Sequence, residues 1–173
     1  MQRIRGRDQV SCFMMDFKNS TCRGHQRSIN YFGNMLIQKV ESYIRRAPSG
    51  VIRLVDTPVQ IAIVPSHSAG HVSPALLEIA KMLQRRHQLV ILNPLLCRTV
   101  DVPSAHKDNG DRSIPHHMAT IRVLLGNLLP NIPVILIDDV KTTGGSMSAC
   151  YHLLKQAGAS EIYPIALLET RYS

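Results

Sequence analysis

The hydrophobic positions along the chain change period several times, and each change predicts an element. From Ser28 to about Arg46, apolar residues fall at Ile29, Phe32, Leu36, Val40 and Tyr43, the steps of three and four that make one helical stripe. Ala47-Pro48-Ser49-Gly50 then breaks it. "VQIAIVP", Val59 to Pro65, is apolar and β-branched and predicts a buried strand that proline stops. Ser73 followed by Pro74 predicts a helix start, with the hydroxyl as N-cap and proline as first helical residue. Ala75 to Arg86 continues that helix, with Leu76, Ala80 and Leu83 on one face. "QLVILNP" and "VILID" predict two more buried strands. A helix follows from about Gly145 to Gln156, with Gly158 as its C-terminal stop. "EIYPIALL" is a final strand, and Pro164 within it predicts an edge position or a bulge.

Strands alternating with helices point to an α/β fold, a doubly wound, Rossmann-like parallel sheet with helices on both faces. Ligands of such sheets bind outside the carboxyl ends of the strands. Ser66–Gly70, Arg98 and Asp138–Ser146 each follow a strand, so all three are expected on one edge. Thr99 to His117 breaks the pattern: it is polar, holds two prolines and shows no period, and it reads as a long loop over the site. The organisation expected is one compact unit, an N-terminal extension over residues 1–50 and a core over 51–173.

Composition narrows the setting. A chain of 173 residues buries about two-thirds of its unfolded surface and, at 45% apolar and 18% charged, is ordinary for a globular fold. No apolar run reaches the length of a membrane span, and basic "MQRIRGRDQV" is followed by no apolar signal core. A soluble cytoplasmic protein, without a membrane partner, is the expectation. Cys12, Cys22, Cys97 and Cys150 lack C-x-x-C spacing, which points to reduced thiols rather than a zinc site or disulfide framework. A formal net charge of +8 and a pI of about 9.7 favour anionic partners: nucleotides, phosphates or a nucleic acid surface. The basic residues are dispersed, so charge does not choose among these.

The chemistry concentrates in "VILIDDVKTTGGS", Val134 to Ser146. Asp138 and Asp139 stand where a buried strand leaves the sheet, and carboxylates there accept hydrogen bonds from vicinal hydroxyls or hold a hydrated Mg2+. Two adjacent acids repel unless a cation or donor offsets them. Glycines in the following loop allow backbone N–H groups to turn around an anion, and helix onset adds free donors and partial positive charge. The stretch suits a sugar that carries a phosphate. It has neither the Walker-type spacing nor a G-x-G-x-x-G run.

"VILIDDVKTTGGS" resembles, along its full length, the phosphoribosyl-pyrophosphate (PRPP) signature of type I phosphoribosyltransferases. That resemblance implies a parallel-sheet core with a small N-terminal hood and Mg2+ as cofactor. Asp138 and Asp139 would face the ribose hydroxyls and the metal. Lys141, Thr142, Thr143, Gly144, Gly145 and Ser146 would wrap the 5′-phosphate. "IAIVPSHSAG" is similar to the family's pyrophosphate loop, which places Ser66, His67 and Ser68 at pyrophosphate. His67 and His71 stand there without a Lys or Arg beside them, and neutral imidazoles hold pyrophosphate less strongly. Arg98, Lys107 and Arg112 would be the catalytic cations, the last two on a flexible loop. The layout is most similar to compact ComF-like members, without their N-terminal cysteine zinc module.

The activity implied is displacement of pyrophosphate from C1 of PRPP by a nitrogen nucleophile, a nucleobase or amine. Glu169 and Thr170, at the end of the last strand, stand where an acceptor could approach. A second reading keeps the site and drops the turnover: a PRPP- or nucleotide-sensing regulator that binds nucleic acid. A homodimer is open under either reading.

Overall fold

The computed structural model of the chain describes residues 9–44, 58–103, 113–141 and 144–169. The expected boundary near residue 50 lies outside them, as do Lys107, Arg112, Thr142, Thr143 and Thr170. Two helices open the described chain, α1 (Gln9–Lys18) and α2 (His25–Ile44). Next come β1 (Val59–Ile63), α3 (Pro74–Arg86), β2 (Val90–Ile91), β3 (Leu96–Arg98), α4 (Ile114–Thr120) and β4 (Ile121–Val123). A 3-10 turn at Leu125–Asn127 leads into β5 (Val134–Lys141), α5 (Gly145–Gln156) and β6 (Ile162–Glu169).

Strands β2, β1, β5 and β6 form a parallel sheet in that order. Alternation along the central strands sorts their side chains into two cores. Ile61, Ile63, Ile135 and Ile137 pack with Ile29, Phe32, Leu36 and Val40 of α2 and Leu76, Ile79 and Leu83 of α3. Ala62, Val64, Val134 and Leu136 pack on the opposite face with Met147, Cys150 and Leu154 of α5. Both faces are therefore covered, which is why β1, Gln60 apart, and the first half of β5 read as apolar runs. Gln60 is the polar exception in β1. Its amide donates to the Asn127 carbonyl at 2.8 Å and accepts from Leu129 N–H at 2.8 Å, so a buried polar side chain is satisfied.

Local signals account for the helix ends. Ser73 accepts from Leu76 N–H at 3.3 Å and Pro74 opens α3. Gly158, at φ +97°, ends α5 in a Schellman turn: its N–H reaches the Lys155 carbonyl and Ala159 N–H reaches that of Leu154. Pro164 sits in β6, which is an edge strand as expected.

Two expectations need correction, and one helix is added to them. The run "QLVILNP" contributes only Val90 and Ile91 to the sheet, because the chain then turns to begin an antiparallel ribbon of β3 with β4. Thr99–His117 is not irregular throughout: Ile114–Thr120 is helical. Ser113 caps it by accepting from His116 N–H at 3.3 Å, with Pro115 in the first turn, the same grammar as Ser73-Pro74. A further helix, α1, lies within the N-terminal extension. Phe13, Met14 and Phe17 fall at helical spacing there; Phe13 stacks on Tyr31 at 4.6 Å and Phe17 meets Phe32 edge-on at 5.4 Å. Among the described residues no helix is long and apolar enough to cross a membrane, and the four cysteines are free thiols.

Candidate functional site

Strand order locates the crevice. The chain leaves β1 through α3 for β2 on one side, while β5 pairs with β1 on the other. The β1–β5 boundary is thus the switch point, where two loops diverge and leave room for a ligand at the carboxyl ends. The loop after β1, and the end of β5 with the start of α5 at Gly144, flank that point.

The loop after β1 is closed largely upon itself. Ser66 N–H donates to the His71 carbonyl at 2.9 Å, His71 N–H returns to Ser68, and Gly70, at φ +73°, donates to the Arg98 carbonyl at 2.9 Å. Ser66 Oγ lies 3.1 Å from the His71 carbonyl, and Ser68 N–H donates to Ser66 Oγ at 3.3 Å. His67 and His71 are exposed. Ala69 N–H differs from its neighbours: it donates to the Asp101 carboxylate at 2.7 Å.

Arg98, expected to meet pyrophosphate, lies beneath this loop and is only 2% exposed. Its Nε donates to the Ser66 carbonyl and its Nη1 to Thr120 Oγ1, both at 2.6 Å. Burial pulls the guanidinium pKa below its usual value. In this arrangement Arg98 braces the loop against the ribbon.

The acids after β1's neighbour lie inside β5 rather than beyond it, and both are half-buried. Asp138 Oδ1 accepts from Asp139 N–H at 2.8 Å, and Asp139 Oδ1 accepts from Val140 N–H at 2.7 Å. Burial, and secondly the charge of Asp139, push the Asp138 pKa up to about 7. The Cys150 thiol is pushed up to about 12, by burial first and then by Asp138. Asp139 has an external partner, Lys18 of α1, whose Nζ lies 3.3 Å from Oδ2. Lys141 ends the strand with Nζ 2.8 Å from Glu169 Oε1, a contact between paired strands.

Gly144 has φ +79° and starts α5 with no side-chain cap. A Cβ there would stand 3.2 Å from Lys141 Cε, so conformation and space both favour glycine. The first-turn N–H groups of a twelve-residue helix face outward from this point. Ser146 Oγ lies 3.2 Å from His117 Nε2, which ties α4 to the loop.

The pair fits a hard cation. A cation at the acids would offset what raises Asp138, burial first and then the Asp139 charge. Among the described residues no group of three or more His, Cys, Asp and Glu side chains is assembled for a metal. Asp138 and Asp139 are the side chains that would hold Mg2+ here, and it would supply positive charge at the end of β5. Sequence reasoning missed Lys18, Asp101, His117 and Thr120. None has a motif of its own, and each matters through a partner at least 22 positions away.

No sequence-family model and no curated protein sequence matches the chain. Solved structures do. The APRTase of Giardia lamblia complexed with 9-deazaadenine aligns at TM-score 0.51 and 16% identity, over 85% of this chain and 82% of that one. The adenine phosphoribosyltransferase of Saccharomyces cerevisiae aligns at TM-score 0.50 and 16% identity, over 80% and 69%. The chain has the phosphoribosyltransferase fold. It spans 63% of the length of the Staphylococcus aureus hypoxanthine phosphoribosyltransferase, with TM-score 0.49 and 12% identity over 82% of this chain.

Proposed function

We propose that the chain is a phosphoribosyltransferase that binds Mg2+ and PRPP and transfers the phosphoribosyl group to a nitrogen nucleophile, a nucleobase or small amine. The observation that carries this reading is the acid pair and left-handed Gly144, side by side with the Ser66–Gly70 loop across the switch point. Asp138 and Asp139 would take the ribose hydroxyls. Gly144, Gly145 and Ser146, with Thr142, Thr143 and Lys141, would enclose the 5′-phosphate at the start of α5. Ser66, His67 and Ser68 would border pyrophosphate. Mg2+ at Asp138 and Asp139 would supply positive charge to the phosphates.

The reaction breaks the C1–O bond to pyrophosphate and forms a C1–N bond. The bonding pair leaves on pyrophosphate, and the nitrogen loses a proton. Negative charge grows on the leaving group, so fixed donors and cations there lower the barrier; each well-placed one contributes about 3 kcal/mol. Arg98 serves this by holding the loop's shape from below, while Lys107 and Arg112 are the candidates for direct contact.

The test is pyrophosphate release from PRPP and Mg2+ with a panel of purines, pyrimidines and amines, beside calorimetric PRPP binding. Release with one acceptor is expected. Binding without release across the panel reassigns the chain to a sensor, and no PRPP binding by the folded protein removes the reading.

A further inference from the structure

Two charged side chains from outside the motif already sit at the two halves of the crevice. Ser66, Gly70 and His71 direct their N–H groups to backbone carbonyls, whereas Ala69 N–H is held by the exposed Asp101 carboxylate at 2.7 Å. Thr99, two residues before Asp101, is bonded to Thr120, and Val102 N–H, one after it, to the His67 carbonyl at 2.9 Å. Asp101 is thereby held against the loop rather than met by chance. Across the switch point, Lys18 sets its ammonium 3.3 Å from Asp139 Oδ2. Lys18 ends α1, and that helix is anchored by Phe17, 1% exposed, in the main core. An anion thus lies on the loop expected to hold pyrophosphate, and a cation on the pair expected to hold the ribose and its metal.

We propose that Asp101 and Lys18 are internal surrogates for the substrate, occupying the resting site and selecting for a ligand that can displace both. This rests on the phosphoribosyl reading above. A phosphate oxygen cannot share Ala69 N–H with a carboxylate, because two anions at one donor repel. A divalent cation at Asp139 likewise excludes the ammonium. Each contact is weak, since Lys18 is 45% exposed and Asp101 faces solvent, so each is displaceable. A simple anion meets the Asp101 barrier with only half the crevice to gain. Mg2+ with PRPP engages both halves at once and offsets both barriers. Lys18 and Asp101 are in this sense specificity residues, acting against partial ligands.

The test uses pyrophosphate alone and Mg2+ with PRPP, titrated calorimetrically into the wild-type chain, Asp101→Ala, Lys18→Met and the double variant. Asp101→Ala should tighten the binding of pyrophosphate and of PRPP by about threefold to tenfold, and Lys18→Met should tighten PRPP binding by about threefold. The double variant should gain roughly the product for PRPP. Asp101→Asn, which keeps an acceptor but loses the charge, should fall between wild type and Asp101→Ala. Wild type that binds PRPP, with variants that bind no tighter, overturns the inference and leaves the function standing. Weaker binding by Lys18→Met also overturns it, by making Lys18 a substrate contact. Failure of both the wild type and the double variant to bind either ligand removes the phosphoribosyl reading and the inference together. A ligand-free readout separates the two further: amide exchange at Ala69 should quicken in Asp101→Ala, and unchanged exchange rejects the resting contact whatever the binding shows.

Discussion

The two loops that flank the switch point are made firm in different ways. The loop after β1 is shaped from below: a buried arginine holds the Ser66 carbonyl, and backbone bonds close the turn around Gly70. The segment after β5 is shaped by conformation: a left-handed glycine, an uncapped helix start and two acids adjoining in one strand. The first is stable by its bonds and presents a single N–H to a charged group. The second holds two adjacent acids, one of them met by the exposed Lys18, and a helix start with no side-chain cap, and that is where a ligand has most to satisfy. A site built this way keeps its frame when empty while reserving one half for binding energy.

Breaking the frame should have the largest effect. Arg98→Met leaves the Ser66 carbonyl and the Thr120 hydroxyl short of their donor in a buried setting, and should destabilise the fold by about 3 kcal/mol. Thermal melting should then fall by roughly 10 °C; an unchanged melting temperature would show that the loop after β1 does not depend on its brace. Gly144→Val forces a β-branched residue into a positive φ and should cost about 2 kcal/mol, with loss of PRPP binding. If Gly144→Val melts like the wild type, conformation is not what holds the second segment.

The acid pair gives a signed pH dependence. The folded pKa of Asp138 is raised from 3.8 to about 7, so between these values the folded state binds the extra proton. Stability should therefore be highest near pH 4 as far as this group is concerned, and should be lost as pH rises towards 7. In metal-free buffer Asp138→Asn should be more stable than wild type at pH 8, by on the order of 1 kcal/mol, and the gap should close towards pH 5. Chemical denaturation at the two pH values measures it; a gap that widens on acidification would reverse the assignment. The smallest effect belongs to the exposed pair joining β5 and β6. Lys141→Met should shift stability by less than about 0.5 kcal/mol, and a larger shift in urea melts would make that contact part of the frame.

Much of the scaffold was legible in the chain. Period and caps found β1, α3, β5, α5 and β6, with the ends of α3 and α5, because helix and strand periods, Ser73 capping and the Gly158 turn are properties of neighbouring residues; β5 runs on through the acids to Lys141. The Phe13, Met14 and Phe17 stripe of α1 and the Ser113-x-Pro115 start of α4 carried the same signals but were read through as extension and loop. Seven residues of α4 give too few turns for a period to stand out beside polar neighbours. Brevity also hid β3 and β4, three residues each, whose pairing joins positions more than twenty apart.

The sequence by itself determined that two acids and then a glycine come after a buried apolar run, and that a turn of small residues comes after another. Covalent order and backbone preference suffice for that, since both act over a few residues. Only the tertiary structure decided that these two strands are adjacent across the switch point, that Arg98 lies under the loop, and that Asp101 and Lys18 stand at its two halves. Those arrangements follow from burying two faces of one sheet together, and that packing brings together residues whose sequence separation no local pattern encodes.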